Sequence, residues 1–236
     1  MNLLTAITDA TAVAQDSLMV LTEPVAETMN VWSLAVKGGW IMVVLAILSV
    51  IGIYIFVERY ATLRKAMTKN PYLLDRLHDN IKENDIKSAM NYCRNQNTPV
   101  SRVLEKGLKA YNLSTEYMRQ AMDNNAGLEI ATLEKGLPVL STIAAVGPMI
   151  GFLGTVTGMV QAFWEMANAG NNIDVSLLSG GIYEAMITTV GGLLVGIVAI
   201  FAYNYLVARV DRVQNDIEGE IIAFMEIAAE LKEKKQ

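Results

Sequence analysis

The chain has a single cysteine, Cys93, and a single histidine, His78. One cysteine excludes an intramolecular disulfide, and one histidine leaves no His/Cys cluster, so neither a metal nor another cofactor is expected. Both residues read as core or surface of a soluble part. No nucleophile, base and orienting group converge in the sequence, which argues against an enzyme. Basic residues form no patch beyond those beside apolar runs and the net charge is -5, so nucleic acid is not an expected partner. A cleaved leader is not expected either. Ala12-Val13-Ala14 has the small residues of a cleavage site, but the residues before it carry Asp9 and no Lys or Arg, and they form no long apolar core.

The decisive shortage is of charge over long stretches. Trp40 to Val57 contains none, nor does the run between Lys135 and Glu165, and Glu184 alone interrupts the stretch from Gly181 to Ala208. Because a hydrocarbon core of about 30 Å is crossed by roughly 20 apolar helical residues, these runs predict three transmembrane helices, at 40–57, 137–164 and 182–208. Hydrophobic residues make up 53% of the 236, yet 18% are charged and mean hydropathy is only +0.32. A chain lying wholly in lipid carries fewer charges, so a substantial wet part is implied. The expected fold class is an all-α integral membrane protein whose spans continue as long cytoplasmic helices.

In chain order, residues 1–39 are expected to form an N-terminal segment in which Val31, Trp32, Leu34 and Ala35 make a short interfacial helix, with Trp32 and Trp40 at the membrane surface. Residues 58–136 carry helix punctuation: Asn70-Pro71, Asp85, Thr98-Pro99 and Ser114 each place a capping residue ahead of a helical pattern. Leu73, Leu74, Leu77 and Ile81, then Val103, Leu104 and Leu108, recur at helical spacing, so this section reads as a cytoplasmic helical domain. The pattern after Ser114 meets no proline before Pro138 and predicts one long helix running into span two, with a bend at Pro138 or Pro148. Residues 165–181, with Gly170-Asn171-Asn172 and no Lys or Arg, are expected to be a short turn on the far side of the membrane from the helical domain. In 209–236, Val210, Val213, Ile217, Ile221, Phe224, Ala228 and Leu231 follow at steps of 3, 4, 4, 3, 4 and 3. That is the stripe of an amphipathic C-terminal helix continuing span three and packing on the loop domain.

Basic residues orient the chain. Lys37 alone precedes span one, thirteen Lys and Arg lie between spans one and two, none falls in 165–181, and five follow from Arg209. The positive-inside rule then puts the N-terminus outside and both the helical domain and the C-terminus in the cytoplasm.

Spans two and three each carry a line of small residues. Ala144, Gly147, Gly151, Gly154, Gly158 and Ala162 follow at steps of 3, 4, 3, 4 and 4, and Gly181, Ala185, Thr188, Gly192, Gly196 and Ala199 form a similar face on span three. Glycine costs a helix about 1 kcal/mol relative to alanine, so a stripe this regular predicts another helix packed against it. Glu184 is the one ionisable group inside a span. Insertion of such a group costs about 2.5 to 3.5 kcal/mol, which marks it as part of an ion path or an ion pair. Thr142, Thr155, Thr157, Thr188 and Thr189 are the other polar candidates, each also able to bond back to its own helix.

Gly147-Pro148-x-x-Gly151-x-Leu153-Gly154-Thr155-Val156-x-Gly158-Met159 in span two, followed by Ile182-x-Glu184-Ala185-x-x-Thr188-Thr189-x-x-Gly192-Leu193 in span three, resembles the signature of the MotA/TolQ/ExbB proton-channel family. The resemblance extends to Glu58-Arg59 closing span one and to the large loop and helical tail, so it covers nearly everything after residue 39. Three spans favour the ExbB and TolQ branch over the usually four-span MotA. Of the two the chain is most similar to ExbB, with TolQ next, and the resemblance makes the outer side of the membrane the periplasm. The resemblance implies a homopentameric ring in the bacterial inner membrane, its second and third spans lining a pore. The ring would hold an ExbD-like single-span partner with an intramembrane aspartate. It also implies a proton path through Glu184, Thr155 and Thr189, with Thr188 beside them, and tight helix packing by Gly147, Pro148, Gly151, Gly154, Gly158, Gly192 and Gly196. The proton motive force would then act through a TonB-like transducer on work at the outer membrane, such as TonB-dependent nutrient import. Ile197-Val198 stands where relatives often have Ile-Pro, which removes an expected kink. A TolQ-like subunit for outer-membrane integrity and a non-conducting membrane scaffold remain as alternatives. A small-solute permease would call for internal repeats, and none is visible.

Overall fold

The computed structural model describes residues 38–68, 70–168 and 175–233, excluding the side chains of 175–177. The expected interfacial helix around Trp32, the candidate cleavage site and Gly170-Asn171-Asn172 all lie outside the described residues. Seven helices account for most of what is described: α1 Gly39–Ala66, α2 Leu73–Lys82, α3 Ile86–Gln96, α4 Pro99–Lys109, α5 Thr115–Glu134, α6 Leu137–Asn168 and α7 Val175–Glu233. No strand occurs among the described residues. Three of these helices, α1, α6 and α7, are long and apolar enough to cross a membrane.

Local chemistry explains most boundaries of the short helices. Asp85 accepts the backbone N–H of Ser88 at 3.0 Å, and Ser114 accepts that of Tyr117 at 3.2 Å. Thr98 and Ser101 form a reciprocal capping box ahead of α4, whose first residue is Pro99. Asn70 acts differently from the expected cap. Its side chain accepts the Tyr72 N–H at 3.1 Å and its carbonyl accepts that of Leu73, so it closes a turn and α2 begins only at Leu73.

The long helix expected from Ser114 into span two is two helices. Gly136, at φ +89°, breaks it after Glu134, in the left-handed region that a side chain disfavours. The break falls before Pro138, which sits in the first turn of α6 where its missing N–H costs nothing. Arg59 secures the corner, donating from Nη1 to the Thr132 carbonyl at 3.3 Å near the C-terminal end of α5, where a cation is favourable.

The membrane helices also run further than the charge-free stretches. α6 continues past Trp164 to Asn168, and α7 starts at Val175, so the connection between them is shorter than 165–181. Beyond the spans, α7 continues without interruption to Glu233, so that the whole helix of 59 residues is about 88 Å long at 1.5 Å per residue. All seven residues of its C-terminal stripe, Val210 to Leu231, are buried. They pack with Leu77, Ile81, Cys93, Leu104, Leu108, Met118 and Met122 into the main apolar core, where Phe224 is fully enclosed. In the spans the pattern reverses: Val43, Phe152 and Phe201 are 60%, 65% and 72% exposed, surfaces fit for lipid or for neighbouring helices.

Candidate functional site

Small residues decide how α6 and α7 meet. A Cβ on Gly192 would lie 2.6 Å from the Gly147 carbonyl oxygen and 2.8 Å from the Gly151 Cα, so the two backbones touch where those glycines face each other. A Cβ on Gly151 would lie 2.8 Å from the Thr188 carbonyl, and one on Gly158 would lie 3.0 Å from the Ala185 methyl. At Gly154 any side chain would run into the Thr188 hydroxyl. Gly196 leaves room for the ring of Pro148, whose Cγ would be 2.6 Å from an added methyl. This is how a proline in mid-span is accommodated. The helix that packs on the span-two stripe is therefore span three of the same chain.

Hydroxyls stitch this seam. Thr189 donates to the Gly151 carbonyl at 3.0 Å, and Thr188 donates to its own Ala185 carbonyl at 2.7 Å while lying 3.4 Å from Gly151 O. Thr155 donates to Phe152 O at 2.6 Å, Thr157 to Leu153 O at 2.9 Å and Thr142 to Pro138 O at 2.8 Å. Of the five threonines, Thr189 is the one whose bond goes only to another helix. Pro148 and Val198 differ in their setting, since Val198 is 63% exposed on an unbroken α7.

At the end of the seam nearest the α6–α7 connection, a cleft of about 200 Å3 opens between α1, α6 and α7. Glu184, Glu165, Gln161, Thr157 and Thr188 line it, and among the described residues no Lys or Arg does. Gln161 Nε2 donates to Glu165 Oε1 at 3.0 Å. The exposed Glu184 side chain reaches the start of α1, where its Oε1 is 2.6 Å from the point a Cβ on Gly39 would occupy. Gly39, at φ +62°, is thus required on two counts, by the backbone and by the carboxylate. The structure brings Glu184 and Thr188 together in this cleft; Thr155 and Thr189 do not line it. A search for charges and threonines passes over Gln161 and Gly39. The lone amide of span two, four residues before Glu165, was the available signal for the first; nothing local signals the second.

This arrangement can hold water and exchange protons at the mouth of an otherwise charge-free seam, because its carboxylates offer acceptors where hydrocarbon offers none. Residues 95–219 match the model of the MotA/TolQ/ExbB proton channel family. An ExbB-like protein of Synechocystis is 30% identical over 174 residues, covering 73% of this chain and 68% of the relative. The Tol-Pal system protein TolQ of Haemophilus influenzae is 28% identical over 198 residues, 79% of this chain and 86% of that protein. An ExbB homologue of Methanothermobacter thermautotrophicus is 29% identical over 183 residues, 77% of this chain and 64% of its own longer sequence. With the family's span of residues matched over more than half of its length and its relatives similar over most of it, the chain belongs to the MotA/TolQ/ExbB proton channel family.

Proposed function

We propose that the protein is the ring-forming subunit of a proton-driven energy transducer in the bacterial inner membrane. Five copies surround the single spans of an ExbD-like partner, whose intramembrane aspartate carries protons alongside Glu184, Thr188, Thr155 and Thr189 of this chain. The N-terminus lies in the periplasm, and the helical domain and C-terminus lie in the cytoplasm, in keeping with eighteen of nineteen basic residues on that side. The observation that carries the reading is the cleft, in which Glu184, Glu165, Gln161 and Thr188 face one space at the end of the α6–α7 seam. Proton flow down its gradient then turns or shifts the partner, each charge crossing 100 mV releasing about 2.3 kcal/mol. A TonB-like transducer passes this work to the outer membrane for nutrient import. Service to outer-membrane integrity is the second reading, favoured by the match to TolQ over 86% of that relative.

The test is proton uptake by liposomes holding the purified protein with and without a single-span partner bearing an intramembrane aspartate, under an imposed potential. Uptake only with the partner is expected. No uptake by the assembled complex under any activating condition would leave the non-conducting scaffold.

A further inference from the structure

A second cavity in the spans lies away from the acidic cleft. It has a volume of about 710 Å3 between α1 and α7, with Leu140 and Ile143 of α6 also lining it. Its walls are apolar and include Gly52 and Phe56 of α1 with Val198, Ala202 and Tyr205 of α7. From Leu194 to Tyr205 the α7 wall rises about 16 Å at 1.5 Å per residue. That is close to half of a hydrocarbon core of about 30 Å, the depth of one leaflet.

Toward the helical domain the groove ends at three aromatic rings. Phe56 and Tyr60 are 6.1 Å apart between centroids, and each is 6.3 Å from Tyr205. Aromatic side chains gather at the membrane–water boundary, where one end of the ring is dry and the other wet. Immediately past them is a smaller pocket of about 200 Å3 lined by Tyr60, Arg64, Met67 and Arg209 among others. Arg209 lies 5.0 Å over the Tyr205 ring and donates to its hydroxyl at 2.8 Å, which fixes the guanidinium at the pocket. Among the described residues neither Arg64 nor Arg209 meets a carboxylate.

We propose that the groove and pocket together bind one acidic phospholipid of the cytoplasmic leaflet. An acyl chain lies between α1 and α7, and the head-group phosphate sits at Arg64 and Arg209. Basic pockets between transmembrane helices on the cytoplasmic side suit acidic head groups, and a chain one leaflet deep suits a groove that stops at an aromatic boundary. A neighbouring protein helix would cover the apolar wall but would bring no anion to the two guanidiniums. The proposal rests on the membrane orientation given above and not on proton conduction.

Native mass spectrometry of the full-length protein, purified in mild detergent without partner or gradient, tests it. The protein is offered equal amounts of dioleoyl phosphatidylglycerol and dioleoyl phosphatidylcholine. Retention of the acidic lipid over the zwitterionic one on the order of tenfold is expected. Arg64→Gln combined with Arg209→Gln should bring that ratio to about one, and Ala202→Trp, which fills the groove, should lose both lipids at unchanged oligomer mass. Glycerol phosphate, an anion without chains, should not compete. Equal retention of the two lipids, a ratio indifferent to the arginines, or full competition by glycerol phosphate would overturn the proposal. So would a photo-crosslinker at Val198 that captures another copy of the chain in place of lipid. None of these results bears on whether protons flow.

Discussion

Gly192 and Gly127 show how differently one residue type serves this chain. The first has no room for a methyl group, since the Gly147 carbonyl and Gly151 backbone stand 2.6 to 2.9 Å from where it would go. The second has nothing within 4 Å. Gly192→Ala is therefore expected to lower stability by about 1 to 3 kcal/mol, the cost of overpacking a tight site. Gly127→Ala should raise it by up to about 1 kcal/mol through helix propensity. Thermal unfolding in detergent, followed by circular dichroism, checks both; equal effects would mean that the helices do not touch at Gly192. Because the seam joins α6 to α7 within one chain, the loss at Gly192 should register in the monomer.

Cys93 gives a second prediction at this scale. It is fully enclosed, and burial together with the nearby Glu105 carboxylate pushes its thiol from an ordinary 9.0 up to about 12. The thiolate is the reactive form, so maleimide should label Cys93 only on unfolding, even in opened cells. The folded protein holds this proton where the unfolded chain releases it. Cys93 thus contributes stability that is fully present below pH 9 and declines as pH rises toward about 12. An unfolding midpoint that holds steady across this window in the native chain, or that falls equally in Cys93→Ala, would contradict that contribution.

Among the helices, α7 was the most legible in the sequence, because spacing alone marks a buried stripe: the seven residues from Val210 to Leu231 are those the structure buries. The boundary between α5 and α6 was not legible. A glycine at positive φ leaves no mark in hydrophobic periodicity, and Pro138 drew attention to a position two residues beyond the actual break at Gly136. The acidic cleft was legible only in part, since Glu184 stands out as a charge in a span whereas Gly39 matters through a contact that joins α1 to α7. Phe224 tests the helical domain as a unit. It is fully enclosed among α7 and the loop helices, so Phe224→Ala should cost about 3 to 5 kcal/mol. Limited proteolysis should then cut the α2–α5 region faster while the spans stay protected. An unchanged cleavage rate would show that α7 and the loop domain do not hold each other.

For the whole molecule, orientation and proton flow are the two claims to settle. Cys93 is buried, so added cysteines report topology against a silent background. Asn168→Cys, at the exposed end of α6, should react with an impermeant maleimide on intact cells, and Asn112→Cys, exposed between α4 and α5, only after the cells are opened. The reverse pattern would invert the chain.

The most direct measurement is proton uptake by liposomes holding the complex with its partner, compared between the native chain and Glu184→Gln. Glutamine keeps the size of the side chain that reaches Gly39 and removes its charge and its exchangeable acid. Partner-dependent uptake that is lost in Glu184→Gln, with oligomer mass unchanged and a smaller loss in Thr188→Val, is the predicted result. Undiminished uptake in Glu184→Gln would contradict the account and take the cleft out of the proton path.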